Sequence, residues 1–537
     1  MGFTAADNAD KAIMLWRKEI DELEDDLKSK EQIEARIFDL YRNNDLMRGL
    51  VEKMVDTVIG SKVVLQAMPD YEALGVSRNE ALSWQSIVES EFHSYVDSPE
   101  NWISADRSMD FTQLCRQAYR SKIFTGEITA SLEWRYSQGD GYKTCVNVFS
   151  PNRIKTPPQN TDAFFGIELD NYGAAIAYHI EKTNINSDSS IYRKKEYKRV
   201  LKRNKYGQLQ LIHIFEPMLP EYPRGISRLA CVLKKMKQLD RYHEADLDKA
   251  IITTAYVFAI TSDEDPETVA EILSGVSQHK NRYDEMSVGE VDVNIPKDLL
   301  AERDRIREKI LKDRWVEVTG GNVMHLFSGE DIKTVAPPNT ITSSAEFAKG
   351  HTRNIANGIG ISYELGTGDF EGVNYSGGQL SLGIYEHGAS IERKLYAHKF
   401  AAMVFRAWLD EAIDKGKIPL LGGVDYWSNR DKYSKCSFTG VKRVHVDPVK
   451  AANANAKNLV NGTTTRTDIV NENGGDIESI AINRSYEATL FLKVIEDAAK
   501  EQNIKLTDEY KLKVLSDYIT GRSIESSDVL SSGENEE

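Results

Sequence analysis

The chain has 537 residues, of which 41% are hydrophobic and 28% charged, with a formal net charge of −15. At about 150 residues per domain this allows three or four domains, and the apolar content excludes wholesale disorder. The acidic balance argues against a sequence-specific DNA reader, which neutralises phosphates with a basic face, but it does not exclude loose contact with DNA.

The N-terminal stretch lacks a secretory apolar segment and has Ala6 where a myristoylation signal wants Ser or Thr. The apolar run Tyr256 to Ile260 is far short of the roughly 20 residues of a membrane span. Both features predict a soluble, intracellular product with no membrane role. Cys115, Cys145, Cys231 and Cys436 lie far apart, which predicts isolated reduced thiols.

Residues 11 to 59 have helical spacing (Leu40, Leu46, Leu50, Met54, Val58), and Gly60 ends the run. Between Val63 and Ile214 the pattern is mixed. "ITASLEWRY" and "AAIAYHIEK" alternate as strands, "DNYG" is a turn and "KTPPQN" a loop. A long helix is expected over Arg228 to Ile260, with Leu229, Leu233, Met236, Leu247, Ile251, Thr254 and Phe258 on its apolar face. Residues 262 to 335 read as a small module inserted between helices. A second helix runs from Ser344 to Ile359 and a third from Gln379 to Asp414, the latter with Leu382, Ile391, Leu395, Met403, Trp408 and Leu409 as apolar positions. "IPLLGGVDYWSNRDKYSKCSFTGV" is strand and turn, and the chain is mostly helical from Pro448. The end, "ESSDVLSSGENEE", has five acids and no base and reads as disordered.

Between the second and third helices lies "SYELGTGDFEGVNYS", glycine-rich and with three carboxylates. As a phosphate cradle it is poor. Three residues, not two, precede the third glycine, no strand leads into it, and no Lys-Ser/Thr follows. "HEADL" fails as a zinc motif because Leu247 occupies the second ligand position. No nucleophile elbow and no histidine cluster is present, so catalytic, metal and cofactor sites are expected to be absent. Asp106 and Glu127 read as ordinary solvated or capping carboxylates. Arg303, Arg305, Arg307 and Lys309 alternate with Glu302, Asp304 and Glu308. That pattern is a solvated helix face with paired charges, or a protein-docking surface.

Several ordered motifs together resemble the lambda-type portal proteins of tailed bacteriophages, over roughly residues 35 to 485. They are "RNNDLMRGLVEKMVDTVIGSKVVLQ", "GIELDNYGAAIAYHI", "HIFEPMLPEYPRGISRLACVL", "VMHLFSGEDIKTVAPPN", "NIANGIGISYELGTGDFEGVNYS" and "HVDPVKAANANAKNLVNGTTTRTDIVNENGGD". The chain departs from the family at "NYSGGQLS", where a second Ser and an Arg are usual, and Gly377 and Gly378 are expected to loosen the next helix.

The resemblance implies an α+β portal fold: a wing of mixed α/β structure, a two-helix stem, an inserted clip, a long helix and a helical crown, assembled into a cyclic ring of about twelve copies. It places the wing at 1–228, the stem helices at 229–261 and 336–361, and the clip at 262–335. The channel loop falls at 362–376, the long helix with returning wing strands at 377–447, the crown at 448–524 and an acidic tail at 525–537. Glu364, Gly366, Gly368, Asp369, Glu371 and Gly372 become channel-loop residues, and Arg303, Arg305, Arg307 and Lys309 clip residues that dock partners. The implied function is a non-enzymatic ring at one capsid vertex, reached in the virion after assembly in the host cytoplasm. Its implied partners are the terminase large subunit, a head-completion or adaptor protein, and the major capsid and scaffolding proteins. Duplex DNA would pass without sequence specificity. The alternative is a cytosolic nucleotide-dependent enzyme using the Gly-rich loop 366–372.

Overall fold

The computed structural model describes residues 23–135, 141–158, 163–182, 196–255, 341–439, 447–475, 477–501 and 507–520. The expected clip with Arg303, Arg305, Arg307 and Lys309, and the acidic tail 525–537, lie outside these residues. Two compact units are present, one of Met1–Leu233 with Ala356–Glu537, the other of Lys234–Ile355.

In the first unit the expected N-terminal helix is two helices, α1 (Leu23–Asn43) and α2 (Asp45–Ile59). They break at Asn44, whose extended backbone cannot continue a helix and whose side chain accepts from Met47 N at 2.6 Å. Gly60, at φ +77°, ends α2. Then come β1 (Val64–Ala67), α3 (Tyr71–Leu74), α4 (Arg78–Val96) and α5 (Phe111–Thr125). Reciprocal capping boxes, Ser77 with Glu80 and Asp110 with Gln113, start α4 and α5.

Six strands follow: β2 (Glu127–Trp134), β3 (Thr144–Val148), β4 (Ile167–Leu169), β5 (Ala175–Glu181), β6 (Tyr197–Leu201) and β7 (Leu211–Phe215). They form two antiparallel three-stranded sheets, β3-β2-β7 and β4-β5-β6. The turn between β4 and β5 closes where expected. Asp170 Oδ1 accepts from Tyr172 N at 2.9 Å and Ala174 N at 2.8 Å, and Gly173 takes φ +79°.

The chain passes through α6 (Leu233–Ala255) and α7 (Ile341–Ile359) to α8 (Tyr363–Thr367) and α9 (Tyr375–Glu392). A π-helical turn, Arg393–His398, joins α9 to α10 (Lys399–Asp414). After α11 (Arg430–Tyr433), β8 (Cys436–Thr439) pairs antiparallel with β1, with Leu65 opposite Phe438. Four helices end the described chain: α12 (Pro448–Val460), α13 (Arg466–Glu472), α14 (Ile477–Glu501) and α15 (Asp508–Thr520).

The main core lies on α10. Phe92 meets Phe111, Phe405 and Trp408 edge-on with ring centroids 5.5, 5.6 and 5.1 Å apart, and Tyr142 packs on Trp408 at 5.3 Å. Burying each such ring stabilises by about 2–3 kcal/mol. The apolar positions of the third helix do not share one face. Trp408 and Leu409 are fully buried, whereas Ile391 and Leu395 are exposed. The π-turn, which contains Leu395 and separates Ile391 from Trp408 and Leu409, widens the helix by one residue and rotates the apolar stripe.

In the second unit, the Tyr242 ring lies 5.1 Å from that of Phe347, which also meets His351, and so joins α6 to α7. Leu247, expected on the apolar face of α6, is exposed. Among the described residues no helix is long and apolar enough to cross a membrane, and no group of His, Cys, Asp or Glu could hold a metal ion. The four cysteines are free thiols.

Candidate functional site

The glycine-rich stretch 362–376 is a chain of capped turns seated on α2. Ser362 caps α8, and the helix stops at Gly368, whose φ is +79° and whose N–H reaches Glu364 O at 2.8 Å. Gly366 is buried rather than hinge-like. A Cβ there would fall 2.8 Å from Leu50 Cδ2, and Lys53 Nζ donates to Gly366 O at 2.7 Å. So glycine at 366 permits close packing. Asp369 is engaged as well, since Tyr363 donates its hydroxyl to Oδ2 at 2.8 Å and Glu371 its N–H to Oδ1 at 3.1 Å.

Thr367, Gly368, Phe370, Glu371 and Gly372 are exposed, as are Asn374 to Ser376, while Glu364 and Asp369 are half-buried. The structure thus brings the expected loop residues together but divides them, some holding the turn and others presented to solvent. Phe370 at the tip was missed, because a lone aromatic among glycines carries no periodicity. The helix α7, not a strand, precedes the loop, which removes the strand–loop–helix frame of a phosphate cradle. The double glycine does not unravel the next helix. Asn374 caps α9 by accepting from Gly377 N at 2.7 Å, so the first turn forms.

Two buried charge networks lie in the same unit as this loop. Arg393, from the π-turn, donates to Thr57 O at 2.8 Å and Val58 O at 2.9 Å, occupying carbonyls left open at the end of α2. One residue earlier, buried Glu392 pairs with Lys122, accepts from Tyr119 at 3.3 Å and meets Arg228 at 3.0 Å. The Lys122 ammonium also lies 4.2 Å from the centre of the Tyr396 ring, and Tyr396 reaches Glu216 at 3.2 Å. Burial pulls the pKa of Lys122 down although Glu392 opposes it.

The second network explains "PRGIS". Arg224 is buried and donates to both Glu127 oxygens at 2.8 Å. Its remaining N–H groups reach the carbonyls of Pro151 and Phe165 at 3.1 Å and of Ile154 at 3.3 Å. Gly225 donates to Glu127 Oε1 at 2.7 Å, and a Cβ on it would meet Gly126 O at 2.4 Å. Ser227 caps the following turn and donates to Ile123 O at 2.6 Å. Lys30 of α1 enters 3.3 Å from both Glu34 and Glu127 and donates to Thr125 O at 2.7 Å. Glu127 is therefore neither solvated nor a cap, as the sequence suggested, but a fully buried partner in an ion network. Asp106 is local, accepting from Ser104 Oγ and, at 3.2 Å, from Ser108 N. No periodicity marks a single buried Glu. The one signal was that Arg224 lies inside a recognisable motif.

This network is pH-sensitive. Burial raises the pKa of Glu127, but Arg224, Lys30 and His213 outweigh it and hold the carboxyl well below its usual range. Burial keeps His213, 3.7 Å from Glu127, below its usual value. For both, the unfolded chain takes up protons that the folded chain refuses, so stability falls on acidification. The loss begins below about pH 6.5 through His213 and grows below about pH 4.5 through Glu127. Glu34, raised by burial against Lys30, acts in the opposite sense. His398, also held below its usual value by burial, acts in the same window, so in a His213→Asn variant the fall in Tm near pH 6.5 is expected to be smaller than in wild type. An unaltered fall there would remove His213 from this account.

These parts define a structural scaffold: an acidic loop is seated on α2 through Lys53 and Gly366, Arg393 closes the end of that helix, and buried ion pairs tie α5 to α9 and α1 to β2. Residues 11–388 match the family described as phage portal protein, lambda family. Portal protein B of Escherichia phage lambda is 24% identical over 452 residues, covering 83% of this chain and 81% of that protein. The portal protein of Escherichia phage N15 is 23% identical over 461 residues, covering 84% and 83%. Solved structures with a similar chain include the neck of a native gene transfer agent (GTA) particle computed with C12 symmetry (TM-score 0.36, 11% identity, 80% of this chain and 91% of that one). The virion of a native GTA particle gives a TM-score of 0.37 at 10% identity, with 82% and 91% covered. The chain belongs to the lambda family of phage portal proteins, and it is a structural component of the phage particle rather than an enzyme.

Proposed function

We propose that about twelve copies of this chain close into a ring at one capsid vertex and that duplex DNA passes through its centre during packaging and ejection. Family membership across residues 11–388 supports this reading. The observation that carries it is the exposed acidic tip of the loop, Gly368 to Gly372, fixed on α2 by Lys53 and the packing of Gly366. Presented around an axis, such tips form a collar that repels phosphate and leaves the DNA free to slide. In this reading the wing is 1–228, the stem 229–261 and 336–361, the clip 262–335, the long helix with returning strands 377–447, and the crown 448–524. The clip docks the terminase large subunit and later an adaptor protein through Arg303, Arg305, Arg307 and Lys309. The wing and crown meet capsid and scaffolding proteins, and ATP hydrolysis belongs to the terminase. The ring forms in the host cytoplasm before it enters the virion.

Purified protein examined by mass photometry and negative-stain microscopy is expected to show closed rings with a hole of at least about 20 Å, wide enough for a duplex. Only monomers and dimers, at concentrations where related portals assemble, would overturn the ring.

A further inference from the structure

Helix α9 has two chemically different sides. One lies on α2, where Tyr385 donates to Lys53 O at 3.4 Å and Ala389 and Glu392 are buried. The other carries Leu380 and Ile384, each 66% exposed, and Ile391, 48% exposed. At about 100° per residue these three, with Gly377 and Gly388, fall within about 80° of arc. From Ser376 to Ile391 the only Asp, Glu, Lys, Arg or His residues are Glu386 and His387, in a chain of which 28% is charged. A helix face meant for water in so charged a protein carries Lys and Glu. At Gly377 a Cβ would fall 3.0 Å from Asn374 Oδ1, but at Gly383 and Gly388 one would meet nothing within 4 Å, so no neighbour in the chain requires glycine there. Each glycine nonetheless costs about 1 kcal/mol against alanine in a helix interior. An uncharged apolar ridge with glycine notches fits a second surface that approaches closely.

We infer that this ridge packs against the neighbouring copy of the chain and thereby sets the spacing of adjacent acidic loops. The inference rests on the ring reading above, which supplies the occupant. Helix α9 begins at the end of the loop, so a loop at the channel puts the start of α9 near the channel too. About twelve copies at a radius of about 18 Å, just outside a duplex, stand about 9 Å apart, and packed helices have interaxial distances of 8–10 Å. At that separation the nearest surface available to the ridge is another copy.

The test places a photo-crosslinking benzoylphenylalanine at Ile384 in the full chain, with rings first verified by mass photometry. Irradiation is expected to give a ladder of chain–chain adducts on a denaturing gel, and peptide mapping should find the adduct between copies. Verified rings that give no chain–chain adduct, or adducts only within one chain or only to capsid protein in assembled heads, would overturn the ridge assignment and leave the ring reading standing. If wild-type protein forms no ring, the ring reading fails first. As a second measurement, Leu380→Asp with Ile384→Asp should keep the wild-type circular dichroism spectrum and shift assembly toward monomers at least tenfold. Unchanged ring formation by that folded variant would also overturn the inference.

Discussion

Arg224→Met is expected to destabilise the protein by about 3–5 kcal/mol, the cost of leaving a buried carboxylate without its principal partner. Arg224 supplies two of the hydrogen bonds to Glu127 and also binds the carbonyls of Pro151, Ile154 and Phe165. Its loss leaves Glu127 with Gly225 N–H, Lys30 and the neighbouring His213 for compensation. It also frees three carbonyls from their donor and loosens the crossing where Gly126 and Gly225 approach too closely for any side chain. The measurement is thermal or urea unfolding of the full chain. Adding Glu127→Leu to Arg224→Met should recover a large part of the loss, because a well-packed apolar pair replaces a buried ion pair at little cost. A single variant within about 1 kcal/mol of wild type would show that the network does not hold the joint.

The second large effect is functional. Glu371→Lys, and more strongly Asp369→Lys with Glu371→Lys, should turn the loop from a repelling collar into a phosphate brake. Each substitution changes the charge by two per copy, and the copies act together on one DNA. Rings should still form while packaging slows at least several-fold at low salt, and the defect should shrink as salt screens the new contacts. The single variant is the cleaner probe. Glu371 is exposed, whereas Asp369 also accepts the Tyr363 hydroxyl, and its loss disturbs the turn. Packaging by Glu371→Lys rings at the wild-type rate across salt concentrations would refute the placement of the loop in the channel. Binding of ATP or GTP to the wild-type loop, altered by the same substitution, would favour the nucleotide reading instead.

Much of the local structure was legible beforehand. The hairpin around "DNYG", the strand at "ITASLEWRY", the helices flanking the loop and the stop at Gly60 all appear close to where spacing and turn residues placed them. The motif resemblance also led to the family that the comparisons show. The misses share a cause. Glu127 was read as a solvated or capping carboxylate, Leu247 as part of an apolar face, and Gly377 and Gly378 as loosening their helix, because each was judged from its neighbours in the chain. The break at Asn44 and the first turn of α9 were legible in principle, since an Asn stands at each cap.

By itself the sequence determined that helices flank the acidic glycine-rich stretch, which strands alternate, and where Gly60 stops α2. These depend on backbone hydrogen bonds and caps formed within a few residues. Only the tertiary structure decided which charges are buried and which apolar residues are left for a partner. Glu127 meets Arg224 across 97 residues and Lys122 meets Glu392 across 270. Such pairs involve one residue at each end and leave no period along the chain. The fate of Leu380 and Ile384 likewise depends on which side of α9 lies against α2, and their periodicity is the same whether a face is covered by its own chain or by another.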